Sequence, residues 1–197
     1  MMRRQFQVAK FTPPVFVPVR RSGIATVWVI AGVPAFLTLL IMLTDLGTIW
    51  QARTELETAL ESAALAAVQQ WKIVPADTIT PRNTAIAFGS ANTVVGQTFV
   101  LNDNYSGINT NGNAFCQGDI VFGEIDLAQN FASGNVPNAP NYYGVHVKKT
   151  VSIASLWKKF AGVSFGPYKV TAQTTAQLPV AAGGTPQLVL LNSFTCP

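Results

Sequence analysis

The chain has 197 residues, enough for one ordinary domain plus a membrane segment, and 49% of them are hydrophobic while only 11% are charged. A soluble globular domain carries roughly 25% charged residues, so this balance argues against a cytosolic protein. The formal charge of +4 is not a nucleic-acid surface. Five basic residues (Arg3, Arg4, Lys10, Arg20, Arg21) precede Gly23 without one acid, and from Asp45 onward eight basic residues face nine acidic ones. The excess charge therefore lies on one side of an apolar segment, the arrangement that keeps an N-terminus in the cytoplasm.

Residues 1–22 contain Pro13, Pro14 and Pro18, which preclude a continuous helix and read as a basic cytoplasmic tail. Residues 23–43 carry no charge. At 1.5 Å per residue they are long enough to cross a hydrocarbon core of about 30 Å. The apolar run is too long for a cleavable secretory signal and helical sequence follows it directly, so residues 23–44 read as an uncleaved transmembrane anchor. Pro34 falls inside it, where membrane helices tolerate proline. Arg20, Arg21, Gly23, Pro34 and Asp45 fix the anchor and its topology, with Asp45 expected at the outer membrane–water boundary.

Residues 45–71 continue as an amphipathic stalk helix. Its apolar positions are Leu46, Ile49, Leu56, Leu60, Ala63 and Ala67, mostly three or four apart. The stripe passes from large to small side chains, and small ones let another backbone approach closely. Two uses fit: covering the chain's own core, or contacting a helix of another subunit.

Pro75 ends this helix, and Thr80-Pro81 supplies an N-cap and first-turn proline for a helix over 80–91. Strand-like segments follow at 94–101, 120–125 and 143–153. In the last, Tyr143, Val145 and Val147 alternate with His146 and Lys148, predicting a half-buried strand with His146 outward. Residues 155–161 read as a short amphipathic helix, 169–177 as another alternating strand and 187–191 as a final buried run. Asn- and Gly-rich loops separate them over 102–113 and 133–141. The expectation is an α+β fold: a long N-terminal transmembrane and stalk helix, then a small, mainly antiparallel sheet domain with short helices over 72–197.

Catalytic chemistry finds little support. His146 is the sole histidine, on the outward side of a strand, and a triad needs a histidine in a pocket beside a nucleophile and an acid. No phosphate-binding or dinucleotide fingerprint occurs. Asn102, Asn104 and Ser106 before Gly107 resemble the front of a calcium loop, but Asn stands where its first Asp belongs and Asn113 where its closing Glu belongs. The acids between Asp119 and Asp126 fit a surface strand equally well. No enzyme, cofactor, metal or small-molecule substrate is expected. Outside the cytoplasm, Cys116 and Cys196 are candidates for one disulfide, and two free thiols remain the alternative.

Arg20, Arg21, Gly23, Pro34 and Asp45-Leu46-Gly47, followed by Leu56-Glu57-Thr58-Ala59-Leu60-Glu61-Ser62-Ala63-Ala64-Leu65-Ala66, resemble the N-termini of TadE/TadG-like proteins of tight-adherence (Flp) pilus systems. More loosely, the order of later elements is similar as well. The resemblance implies a single-pass protein of the bacterial inner membrane, with its C-terminal domain periplasmic or extracellular. It would support assembly or anchoring of a pilus or related secretion machine, with other machine proteins or its own copies as partners through residues 45–71. The pilin-like members carry a glutamate five residues after the glycine, and here that place is Trp28. The departure favours an anchor over a cleaved, polymerising pilin-like subunit. A surface adhesion module acting through the Asn/Gly-rich loops is a further alternative.

Overall fold

The computed structural model describes residues 22–102, 118–134, 136–155, 157 and 166–195. Cys116, Cys196, Arg20 and Arg21 lie outside these residues, as do most of the 102–113 loop and of the expected 155–161 helix. The described chain separates into two compact units, one ending at Leu40 and one beginning at Ile41.

One helix, α1 (Ser22–Ile73), carries Pro34 inside it. Proline at this position removes the backbone donor that would otherwise bond the Ile30 carbonyl one turn earlier, a defect that membrane helices tolerate. Thr38 Oγ1 donates to the Pro34 carbonyl at 2.7 Å. In the first unit every side chain from Gly23 to Leu40 is exposed. The helix is long and apolar enough to cross a membrane, with a mean hydropathy of 2.3 over its best window and none of that window buried.

The second unit is an α+β domain built around the remainder of α1. After α1 come α2 (Ile79–Ser90), a two-residue hairpin of β1 (Thr93–Val94) and β2 (Gln97–Thr98), and then β3 (Ile120–Ile125), β4 (Asn130–Ser133), β5 (Tyr142–Ile153), β6 (Tyr168–Pro179), β7 (Gln187–Leu188) and β8 (Ser193–Thr195). The last six form one sheet in the order β7-β6-β5-β3-β4-β8. All its pairings are antiparallel except β4 with β8. The long β5–β6 pair, twelve residues in register from Tyr142↔Pro179 to Ile153↔Tyr168, is the frame of the domain.

Leu56, Leu60, Ala63 and Ala67 are fully buried, in one core with Ile120, Phe122, Val145, Val147 and Ala176 from the sheet. The helix alternates two large residues with alanines along this face. The alanines bring the backbone near the strands, and the leucines each contribute roughly 1.5–3 kcal/mol by leaving water. Trp71 closes the upper end: its ring meets Phe122 and Tyr143 edge-on, each at 5.1 Å. Lys72 Nζ donates to the Pro179 and Ala181 carbonyls at 2.7 Å each, tying the helix end to the end of β6.

Four local expectations are corrected. The segment 94–101 is a tight hairpin, not one strand. Val95 and Gly96 have φ of 50° and 72°, the positive pair that a two-residue turn needs. Helix α2 begins at Ile79, with Thr78 and not Thr80 at the cap position and no capping bond from the Thr78 side chain. Asp77 does that work, accepting from the backbone of Ile79 (2.8 Å) and from Thr80 Oγ1 (2.6 Å). Its carboxyl is held below the usual range chiefly by the Thr80 hydroxyl. The run 187–191 is not buried: Leu188 and Leu190 are 44% and 87% exposed, and strand pairing is confined to Gln187–Leu188. His146 does not face water: it is 93% buried, because the C-terminal segment returns across the second face of the sheet.

That second face is a small core of Val121, Ile125 and Phe131 with Tyr142, Val189 and Leu191 packed on it. Phe194 of β8 stacks on Phe131 with centroids 5.0 Å apart and meets His146 at 4.9 Å. Paired Gly123 and Gly144 make room for the Phe131 ring. A Cβ on Gly144 would lie 2.5 Å from Ile125 Cγ1 and 3.0 Å from Phe131 Cε2.

Candidate functional site

Of the functional residues named from sequence, those that the structure describes fall on α1. Within the second unit they divide between a face turned to the sheet and a face turned away. Leu56, Leu60, Ala63 and Ala67 belong to the first, so the chain's own strands occupy the stripe that the sequence offers for a partner helix. Ile49 is partly buried at the edge of this core. Leu46 lies on the other face, 55% exposed.

Asp45, expected at the outer membrane–water boundary, is turned under the domain. It is only 6% exposed, since an i, i+4, i+7 path from it through Ile49 and Ala52 follows the sheet-facing side of the helix. Ser155 Oγ donates to Asp45 Oδ2 at 2.5 Å, and the Tyr168 hydroxyl stands 3.4 Å from the same oxygen. Ser155 also accepts the backbone N–H of Trp157 at 3.1 Å. Asp45 therefore fastens α1 to the chain just beyond the end of β5 and to the first residue of β6. A buried carboxyl needs such donors, because its desolvation is otherwise expensive. Sequence reasoning missed this clasp: its partners are 110 and 123 residues away.

A second clasp lies nearly three turns further on. Glu55 Oε2 accepts the backbone N–H of Val95 at 2.5 Å, and Gln51 donates to Glu55 Oε1 at 2.7 Å. The Val95 bond is the main reason the Glu55 carboxyl is held below its ordinary range. About two turns beyond, Asn92 Nδ2 lies 3.4 Å from Ser62 Oγ. Polar groups thus border the apolar seam at intervals and set the register between helix and domain.

The face of α1 turned away from the sheet carries Leu46 and Trp50, the latter 71% exposed, and then the ion pair Arg53–Glu57 at 2.8 Å. Ile49, Trp50, Arg53, Thr54 and Glu57 frame a shallow depression of about 450 Å³.

Elsewhere the polar groups are committed to structure. Asp119 bonds Lys149 at 2.5 Å and accepts the Asn102 N–H at 2.7 Å. Asn141 donates to Glu124, and Asp126 accepts from the backbone and side chain of Asn130, both at 2.9 Å. The acids between Asp119 and Asp126 therefore act singly. Among the described residues no group of three or more His, Cys, Asp or Glu side chains is placed to hold a metal. His146 Nδ1 lies 2.9 Å from Thr175 Oγ1. Burial, and secondarily Lys148, lower its pKa to about 4, so the ring is neutral at physiological pH. It lines a depression of about 350 Å³ with Lys148, Gln173, Leu191, Asn192, Ser193 and Phe194; the Ser193 hydroxyl there donates to Asn130 Oδ1 at 2.7 Å. Arg82, also buried, holds its guanidinium 5.5 Å from the centre of the Phe122 ring.

These features define a class: an α+β domain whose central helix carries a candidate membrane span and is tied to the sheet by polar clasps. Residues 23–70 match the family model described as putative Flp pilus-assembly TadE/G-like, the family that the N-terminal motifs resemble. The match runs along α1 and ends before the sheet, so it contains the exposed apolar run, Asp45 and the buried stripe. No curated protein and no solved structure matches the chain.

Proposed function

We propose that the chain is a non-enzymatic, single-pass component of the bacterial inner membrane that supports assembly or anchoring of a Flp/Tad-type pilus or related secretion machine. Its N-terminus is cytoplasmic and the α+β domain periplasmic. The observation that carries this reading is the coincidence of the family match with one helix, exposed and apolar in its first half and buried under a sheet in its second. The basic residues ahead of Gly23 support the orientation. Partners, whether other machine proteins or further copies, would engage the face of α1 that the sheet leaves open, since the Leu56–Ala67 stripe is already covered.

The experiment is disruption of the gene in the organism that carries it, followed by electron microscopy of surface pili and complementation. Pili are lost in the disrupted strain and return with the full chain. Undiminished pili in its absence would refute the assembly role. Intact-mass measurement of the membrane-extracted protein bears on the anchor: the full mass is expected, and loss of residues 1–23 would make it a processed pilin-like subunit instead.

A further inference from the structure

We infer that the lipid surface reaches along α1 as far as Trp50, so that Leu46 and Trp50 contact lipid and Arg53 meets the headgroup phosphates. The inference deepens the membrane-anchored reading above and rests on it. Between Ser22 and Arg53 the sole ionisable side chain is Asp45, and its carboxyl is turned under the domain and bonded to Ser155. The exposed surface of the helix is consequently free of charge well beyond the apolar run that ends at Leu43.

Further observations agree. Leu43, Leu46 and Trp50 follow one another at spacings of three and four, on the side of the helix away from Asp45, Ala52 and Leu56, and all three are exposed. Trp50 stands near the end of the run without exposed charge, and tryptophan gathers at membrane–water interfaces. Arg53 lies one turn beyond Trp50, where a long cationic side chain reaches phosphate while its stem stays apolar. The depression between them has an apolar wall of Ile49 and Trp50 and a charged wall of Arg53 and Glu57, the order of acyl chain and headgroup. Asp45 then sits about 7.5 Å nearer the bilayer centre than Trp50 along the helix axis. Cover from Ser155 and Tyr168 is what allows a carboxyl there.

The test uses the full chain in vesicles of phosphatidylethanolamine and phosphatidylglycerol. In a Cys116→Ser, Cys196→Ser background, Phe36→Cys, Leu46→Cys, Trp50→Cys and Glu57→Cys are each exposed to a membrane-impermeant maleimide. Protection of the first three, by about tenfold or more over Glu57→Cys, is expected for side chains within the apolar belt. Fast labelling at 46 and 50 with protection at 36 overturns the inference and leaves the span intact; fast labelling at 36 overturns the span as well. A second measurement needs no cysteine. Phosphatidylcholine brominated near the headgroup quenches the emission that Trp50→Phe removes, and phosphatidylcholine brominated at the chain ends does not. Quenching of that component by acrylamide in water, or its insensitivity to brominated lipid with cross-linking of Trp50→Cys to a second copy, refutes the lipid assignment.

Discussion

Replacing Asp45 by alanine removes the acceptor from two donors at once and leaves the buried Ser155 hydroxyl without this partner. A hydrogen bond to a carboxylate contributes about 1.5–3 kcal/mol, and an orphaned buried hydroxyl costs about 1–3 kcal/mol. The 3.4 Å approach of Tyr168 adds little. Asp45→Ala is therefore expected to destabilise the domain by about 2–3 kcal/mol, and Asp45→Asn, which keeps an acceptor oxygen, by about 1 kcal/mol. Urea unfolding of the full chain in detergent, followed through Trp71 between Phe122 and Tyr143, measures both. A double-mutant cycle with Ser155→Ala isolates the pair, and a coupling of about 1–2 kcal/mol is expected for groups in direct contact. Unchanged stability in Asp45→Ala, or no coupling to Ser155, would refute the clasp and return Asp45 to the role of an exposed boundary marker.

Three other outcomes follow from described contacts. His146 has a folded pKa of about 4 against 6.5 unperturbed, so the unfolded chain binds more protons between these values. Its contribution is complete above about pH 6.5 and is lost as the pH falls toward 4, by at most about 3 kcal/mol. His146→Leu should flatten the stability curve between pH 7 and 4.5, and an identical curve for both proteins would show the ring to be solvated. Val95 holds a positive φ of 50°, which a β-branched residue adopts at a cost. Val95→Asn should raise stability by about 1 kcal/mol, with a lower denaturation midpoint as the contrary result. Gly47 has nothing within 4 Å of where a Cβ would stand. Gly47→Ala should stabilise the helix by about 1 kcal/mol; if piliation nonetheless falls, a partner backbone approaches there, and unaffected piliation excludes one.

What the sequence revealed was what local periodicity encodes. The three- and four-residue spacing from Leu56 to Ala67 marks a helix face, and the alternation around Val145 and Val147 marks a strand with that face inward. Both follow from neighbours in the chain. His146 was misread because alternation identifies two faces without saying whether the second is covered. Its cover, Phe194, arrives through a parallel pairing of β8 with β4 that no local pattern announces. The hairpin at Val95 was hidden because a valine occupies a turn position that normally signals itself by Asn or Asp. Its N–H bond to Glu55 is one of the long-range contacts that hold it there. Asp45 was legible as a break in the apolar run, but whether such a break faces water or a buried hydroxyl is decided by Ser155 and Tyr168, far along the chain.

The helix at the centre of the domain is also the first part of that domain to be synthesised. Leu56, Leu60 and Ala63 leave the ribosome well before Ile120, Val145 and Ala176, which bury them. The closing strand, Ser193–Thr195, is made almost last. The alanine–leucine face consequently waits about sixty residues of chain for Ile120 and more than a hundred for Ala176. Contacts so distant in sequence form slowly. A nascent chain with an apolar helix face and no sheet is a natural client for a chaperone, and a frameshift that removes only the final strands would leave the helix without its full cover.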